Sequence, residues 1–178
     1  TKMETFNTGW LQKPRLLHFN LHGFRDTGNW YGQSQYNKIV ANPTLSSLPL
    51  AFSPNQAATI PSPGTVVFSE ACYGGYLEGK SKLDSVALSF LARGTVAFIG
   101  STAISYGSAG PELCCAGHLS YYFWKEILKN GSSFGRALQA AKLNYARERL
   151  AAGHNLSGDD AKTLLEFVLL GDPTIGLR

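Results

Sequence analysis

The sequence predicts an α/β domain in which a mainly parallel sheet is flanked by helices. Short apolar runs of strand character alternate along the chain with amphipathic helical stripes. Two of these runs, at 16–21 and 65–70, lead into a potentially reactive side chain that glycine follows. A chain of 178 residues with 44% hydrophobic content can bury one substantial core, so a single domain over residues 1–178 is expected.

The first half of the chain contributes two predicted strands. The first covers 16–21, and a glycine-rich loop from 22 to about 35 follows it. Prolines, serines and alanines are frequent in 42–64, which predicts a long connection with at most a short helix near 55–59. The second strand covers 65–70.

The second half of the chain alternates helices with strands. Apolar residues recur at helical spacing in 85–93, and a third strand is predicted at 95–101. Two longer helices are predicted at 115–128 and 133–151 from the same spacing, and a last strand at 166–170.

A histidine and a cysteine stand just beyond the first two strands. His22 precedes Gly23, and Cys72 follows the apolar run that begins at Val66. A thiol near its ordinary pKa is mostly protonated at neutral pH, so a nucleophilic cysteine needs a base or an electropositive site, which an imidazole provides. The pair therefore predicts a catalytic dyad of Cys72 and His22.

The glycines beside these two residues have a predicted purpose. Gly23 lets the backbone turn sharply and leaves its N–H free, while Gly74 and Gly75 permit close approach just beyond Cys72. The N–H groups of Gly23 and Cys72 are expected to form an oxyanion hole. Either motif alone is more often structural, as a buried cysteine or a histidine in a turn, but the two together favour catalysis.

Four motifs in this order resemble those of the caspase-like cysteine peptidases, a group that includes caspases, legumains, gingipains, separases and CHAT domains. They are LHFNLHG at 17–23, SEACYGG at 69–75, VAFIGST at 96–102 with Ser105 and Tyr106 after it, and FVLLGDPT at 167–174. The gingipain-like peptidases are the most similar, with CHAT domains next. The resemblance implies a three-layer caspase-hemoglobinase fold and the activity of a cysteine endopeptidase.

The same resemblance implies that N-terminal strands are missing from this chain. In caspase-like folds the histidine follows the third strand of the sheet, whereas His22 follows the first strand here. The strand at 16–21 would then leave an apolar edge unpaired, which is an aggregation hazard. We expect an N-terminal fragment of the same precursor to cover this edge, either as a second chain left by proteolytic maturation of a zymogen or as sequence outside these residues.

Glu70 is the candidate specificity residue. Alternation along a strand places it on the same side as Cys72, where a carboxylate favours Arg or Lys before the scissile bond. By the gingipain resemblance, Ser105 and Tyr106 form another wall of that pocket. The acidic residue that gingipains use for arginine lies upstream of the histidine motif, so the preference stays open. Glu70 can equally orient His22 or cap a backbone group.

The remaining polar residues have simpler interpretations. His18 is expected to be packed or hydrogen-bonded, and His118 and His154 lack metal-ligand spacing, so neither a metal nor a cofactor is expected. Three loop carboxylates are alternatives as supports for His22 or as ligands of an activating cation such as calcium, namely Asp26, Glu78 and Asp84.

Composition argues against several classes of partner. Sixteen basic and 12 acidic residues give a net charge of +4 without a basic run, which disfavours nucleic acid. Three cysteines, with Cys114 and Cys115 adjacent, do not make a disulfide framework. No apolar run approaches transmembrane length, so no membrane partner is expected, and the expected partner is a protein or peptide substrate.

Two other functions are open at this point. An inactive caspase-like scaffold or binding module is the main alternative, and the intact dyad argues against it. A flavodoxin-like or Rossmann binding domain is disfavoured because no phosphate-binding glycine pattern follows the first strand. The compartment is not determined: a gingipain-like protein would be secreted or held in the cell envelope, and a CHAT-like protein would be cytoplasmic.

Overall fold

The computed structural model of the chain describes residues 15–33, 48–107, 113–151, 153 and 155–177. Its main sheet has four strands, which are β1 (Leu16–Phe19), β4 (Val66–Ser69), β5 (Ala97–Ser101) and β6 (Phe167–Gly171). Their order is β1-β4-β5-β6, with β1, β4 and β5 parallel and β6 antiparallel to β5. A separate antiparallel pair consists of β2 (Trp30–Tyr31) and β3 (Leu50–Phe52).

Five helices accompany these strands in the described residues. They are α1 (Pro54–Thr59), α2 (Val86–Ala92), α3 (Cys115–Asn130), α4 (Phe134–Ala151) and α5 (Gly158–Glu166). Serine side chains cap α1, α2 and α5 by accepting backbone N–H groups of the first turn. No helix in the described ranges has the length and apolarity needed to cross a membrane.

The core lies in two layers on opposite faces of the main sheet. Every residue of β4 and β5 is buried, as expected for strands covered on both faces. Because side chains alternate along a strand, Val66 and Phe68 pack with α3 and α4, whereas Val67 packs on the other face with α1 and α2. The architecture is therefore three-layered, which confirms the predicted fold class.

Most predicted elements are present within a few residues of the expected bounds. Three elements were not predicted, namely β2, β3 and α5. The predicted loop at 22–35 contains β2, which is only two residues long, and α5 was not predicted at all. The predicted connection at 42–64 contains β3 and also α1, which confirms the short helix expected near 55–59, while its first part lies outside the described residues.

Candidate active site

The ends of β1 and β4 bring the two predicted motifs together. The strands pair in parallel, with Phe19 opposite Ser69, and His22 and Cys72 follow at equal distances along the chain. A Cβ placed on Gly23 would lie 2.0 Å from the carbonyl oxygen of Cys72, far inside any real contact. Only glycine therefore fits where the backbones of the two motifs touch.

The antiparallel pair of β2 and β3 fixes the backbone of His22 through β2. His22 and Tyr31 of β2 exchange two backbone hydrogen bonds of 2.8 Å each. The imidazole is half-buried, and its Nε2 lies 2.7 Å from Oε1 of Gln33. An amide oxygen only accepts, so this contact places a proton on Nε2. No hydrogen bond within the described part of the chain joins the imidazole to Cys72.

The sulfur of Cys72 is held by one residue of the loop after β5. Ser105 N–H donates to Sγ at 3.3 Å, and the thiol donates to the Ser105 carbonyl oxygen, also at 3.3 Å. Burial raises the pKa of the Cys72 thiol and outweighs the opposing effect of the Ser105 N–H. The cysteine therefore rests as a thiol and needs a base before it can attack a substrate.

The turn after Cys72 is anchored to the end of β5. The N–H of Tyr73 donates to the Ala103 carbonyl at 2.7 Å, and that of Gly75 donates to Ser101 at the same distance. A Cβ on Gly75 would lie 2.7 Å from the carbonyl oxygen of Gly100, so this contact also needs glycine, as the sequence indicated. The anchoring fixes the backbone on which the thiol stands.

The two predicted oxyanion donors are available in the described structure. The N–H of Gly23 has no acceptor among the described residues, and the N–H of Cys72 acts on its own sulfur, where it lowers the pKa of the thiol. Neither group is committed to a strand or helix. Their assignment to an oxyanion hole stays a prediction.

Glu70 belongs to a polar network on the α3 face of the sheet. Its Oε1 lies 2.9 Å from His18 Nε2 and accepts a 2.8 Å hydrogen bond from Ser120 Oγ. Trp124 Nε1–H donates to His18 Nδ1 at 3.2 Å. Trp124 thus makes Nδ1 the acceptor, which leaves the proton on Nε2 facing the carboxylate. Glu70 contacts His18 rather than His22.

A pocket of about 690 Å³ opens beside this network. Glu70 and His18 line it together with Gly107 and several residues of α3. The apolar part of the lining includes Leu113, Trp124 and Leu128. Cys72 lies instead in a much smaller cavity with residues of the loops after β1 and β4. Glu70 and Cys72 therefore face different cavities, and alternation does not relate them because β4 ends at Ser69.

The two other predicted pocket residues, Ser105 and Tyr106, lie in the loop after β5. Ser105 contacts the sulfur, and its own hydroxyl oxygen is buried without a partner in the described structure. Tyr106 is exposed, and its ring lies 4.7 Å from the ammonium of Lys162. Neither residue lines the large pocket, although Gly107 does.

The loop carboxylates make local contacts. Glu78 accepts a hydrogen bond from the Tyr76 hydroxyl, and Asp84 binds the backbone and hydroxyl of Ser81, which lowers the pKa of Asp84. Asp26 is exposed. None of the three is hydrogen-bonded to His22, and the described residues hold no group of three or more potential metal ligands.

The other two cysteines differ from Cys72 in position. Both lie at the start of α3 and are free thiols. Burial and the neighbouring Cys115 raise the pKa of Cys114 to about 11, so it is a poor nucleophile at neutral pH. His118 lies 3.1 Å from Glu148, whereas His154 is outside the described residues.

Four side chains near the site were not predicted. Ser120 and Trp124 come from α3 and hold the Glu70–His18 pair. Lys162 and Glu166 come from α5 and act electrostatically on Cys72. All four lie far along the chain from the motifs, so no local pattern marks them. The helix α3 itself was predicted from the spacing of its apolar residues.

The fold is the one expected of caspase-like peptidases, and its mainly parallel α/β sheet carries histidine and cysteine at the ends of adjacent strands. A solved structure described as "Structure of Protease" superposes on this chain with a TM-score of 0.60 at 14% sequence identity. The superposition covers 99% of this chain and 38% of that one. At this identity the likeness shows the fold.

The family follows from the sequence. The model of Peptidase family C25 matches residues 18–178, and the chain belongs to this family of cysteine peptidases. The match begins at His18, within the first of the four motifs, and includes the other three completely. Comparison with curated protein sequences finds no match. The family confirms the gingipain-like resemblance that the motifs indicated.

Proposed function

We propose that this chain is the catalytic part of a cysteine endopeptidase with Cys72 as nucleophile and His22 as acid and base. The observation that carries the proposal is the contact between Gly23 and the Cys72 carbonyl, because it fixes the residue after the imidazole against the residue that bears the thiol. Membership of Peptidase family C25 supports the same chemistry.

The reaction begins from the protonated thiol. His22 accepts the proton of Cys72 as substrate binds, and the thiolate attacks the scissile carbonyl carbon to form a C–S bond. The carbonyl electron pair moves to oxygen, where the N–H groups of Gly23 and Cys72 donate hydrogen bonds. As the C–N bond breaks, His22 gives its proton to the leaving amine. Water then hydrolyses the thioester, with His22 accepting its proton and returning it to sulfur.

We further propose a preference for Arg or Lys before the scissile bond. Glu70 supports this because its side chain is 9% exposed, accepts hydrogen bonds only at Oε1, and leaves Oε2 without a described partner. A cation bound there would gain a charge-assisted hydrogen bond. Gly107 lines the large pocket and lies two residues along the chain from Ser105, which contacts the sulfur of Cys72.

We also propose that an N-terminal fragment of the same precursor adds strands beside β1, and that proteolytic processing activates the enzyme. In the described sheet β1 is an edge strand, and Leu16 and His18 are exposed there. An extended segment pairing with this edge would satisfy its free backbone groups.

Hydrolysis of fluorogenic peptides by matched variants tests the proposal. Cys72→Ala should abolish turnover, and Cys114→Ala should leave it near the wild-type rate, because only one thiol performs the attack. Each protein is assayed with calcium and with a chelator, and circular dichroism shows that each variant is folded. Turnover that survives in folded Cys72→Ala would contradict the proposal. Absence of turnover in the wild type, with its N-terminal fragment bound, would favour the inactive scaffold.

A further inference from the structure

The loop between β5 and α3 holds the reactive sulfur through backbone atoms. Ser105 contacts Sγ of Cys72 through both its N–H and its carbonyl oxygen at 3.3 Å. Backbone atoms cannot reorient without moving the loop. The environment of the sulfur therefore depends on whatever fixes residues 104–106.

A lysine from α5 fixes this loop on both sides of Ser105. Lys162 Nζ donates to the carbonyl oxygen of Ile104, and its ammonium lies 4.7 Å from the centre of the Tyr106 ring. A cation over an aromatic face is attracted by the ring quadrupole. One side chain thus contacts the residue before Ser105 and the residue after it.

Glu166 in turn holds Lys162. Lys162 Nζ donates to Glu166 Oε2 at 2.6 Å, one helical turn away, and the Glu166 side chain is only 4% exposed. The backbone carbonyl of Glu166 also accepts hydrogen bonds from the N–H and the hydroxyl of Thr102, at 2.9 and 3.1 Å. The loop is therefore tied to the end of α5 at its start and at its centre.

We propose that Lys162, held by Glu166, is a positioning residue that presses the 104–106 segment against Cys72 and so sets the reactivity of the thiol. The inference rests on the proposed function insofar as Cys72 is the nucleophile, but the environment of the sulfur is measurable without any substrate. Lys162 and Glu166 contact neither Cys72 nor the large pocket, so they act through the loop and through their charges.

The two charges affect the thiol in opposite directions. The negative charge of Glu166 raises the pKa of Cys72, and the positive charge of Lys162 lowers it. Removing Lys162 is thus expected to raise the pKa of the thiol, and removing the charge of Glu166 to lower it. The other ionisable groups around the sulfur are His22 and those that share its small cavity, namely Arg25, Tyr73, Tyr76, Lys80 and Asp84.

The test measures the rate at which iodoacetamide alkylates Cys72 across a pH series, followed by peptide mapping. Lys162→Met keeps the length of the side chain without its charge, and Lys162→Arg restores the charge. Lys142→Met is the matched control, because Lys142 Nζ also donates to a backbone carbonyl. Its acceptor is Phe167, the residue that follows Glu166 where α5 ends and β6 begins. Glu166→Gln removes the negative charge that acts on Cys72 in the opposite direction to Lys162.

We expect Lys162→Met to move the pH at which alkylation is half-maximal to a higher value. At pH values below this midpoint, labelling of Cys72 should be roughly three- to tenfold slower than in the wild type. Glu166→Gln should shift the midpoint to lower pH, Lys162→Arg should restore it, and Lys142→Met should leave it unchanged. An unchanged midpoint in Lys162→Met, or equal shifts in Lys162→Met and Lys142→Met, would overturn the inference. Because labelling needs no turnover, a lack of peptidase activity would contradict only the proposed function.

Discussion

His22 is free of the thiol in this structure, since its Nε2 contacts Gln33 and no hydrogen bond joins it to Cys72. The proposed mechanism gives it proton transfer rather than substrate binding. His22→Ala should therefore lower kcat by roughly 10²- to 10⁴-fold with a smaller change in KM. Steady-state kinetics on one peptide series measures both constants.

His18→Ala is the control for this variant. His18 is bound to Glu70 and Trp124, so its loss should alter the pocket and raise KM more than it lowers kcat. An equal loss of kcat in His18→Ala, with the fold intact, would show that the wrong histidine was assigned.

The Glu70 carboxylate should set the preference for a cationic residue before the scissile bond. A charged hydrogen bond of this kind contributes about 1.5–3 kcal/mol, which corresponds to about ten- to a hundredfold in kcat/KM. Glu70→Gln should narrow the ratio between arginine and uncharged residues in a peptide panel, and Glu78→Gln, at an exposed glutamate, should not. Strong cleavage after aspartate by the wild type would contradict the assignment.

Local sequence indicated the residues of the two motifs but not their neighbours. His22 and Cys72 were identifiable because each follows a short apolar run and stands before or near glycine. The pairing of His18 with Glu70 joins residues 52 positions apart, and Ser120 comes 50 positions after Glu70. Such partners are set by packing of α3 on the sheet, which no single stretch of sequence encodes.

Among the elements, α5 depends on one buried carboxylate. Asp160 accepts hydrogen bonds from the Tyr145 hydroxyl and from the N–H and hydroxyl of Ser157, and lies 3.3 Å from Arg149. Burial raises the pKa of Asp160, but these hydrogen bonds and the arginine charge outweigh it and lower the pKa to about 2. The carboxylate therefore joins the capping box of α5 to α4.

Removing this carboxylate should destabilise the protein. Asp160→Ala leaves the Tyr145 hydroxyl and Arg149 without their acceptor, which we expect to lower the free energy of unfolding by about 2–4 kcal/mol. Asp159→Ala, at an exposed position of the same turn, should change it far less. Denaturant unfolding at neutral pH measures both values, and equal losses would contradict the role assigned to Asp160.

The same group predicts an acid transition. The folded pKa of Asp160, about 2, lies below its ordinary value of 3.8, so its stabilising contribution is fully present above the unfolded pKa and is lost as pH falls through the folded pKa. Between the folded and the unfolded pKa of this group, Asp160→Asn should make the free energy of unfolding depend less on pH. Asp159→Asn should leave that dependence unchanged. Thermal melts over an acid pH series provide the measurement.

The sequence contains a pattern that marks the start of α5. Ser157 followed three residues later by Asp160 is a capping pattern, and the helix that follows it is short, with only nine residues. The start of this helix was therefore predictable from the sequence. The strand β2, with two residues, is too short for any alternation to show. Its pairing with β3 is a tertiary feature that fixes His22.

For the complete protein, the position of β1 at the edge of the sheet formed by the described residues predicts a partner. If an N-terminal fragment of the precursor covers this edge, the native wild-type preparation should contain two associated chains, and the Cys72→Ala preparation one longer chain. Intact mass spectrometry after native size separation distinguishes the two. A wild-type preparation that holds this chain alone, monomeric and fully active, would refute the proposed partner.

The central claim is that Cys72 is the nucleophile of a peptidase site built where β1 and β4 end. A peptidyl chloromethyl ketone with arginine at its tip tests it most directly, because the inhibitor must occupy the substrate site before it alkylates a thiol. We expect one inhibitor mass per protein on Cys72, no labelling of Cys72→Ala, unchanged labelling of Cys114→Ala and far slower labelling of His22→Ala. Stoichiometric labelling of Cys114 instead, or full peptidase activity after Cys72 is labelled, would contradict it.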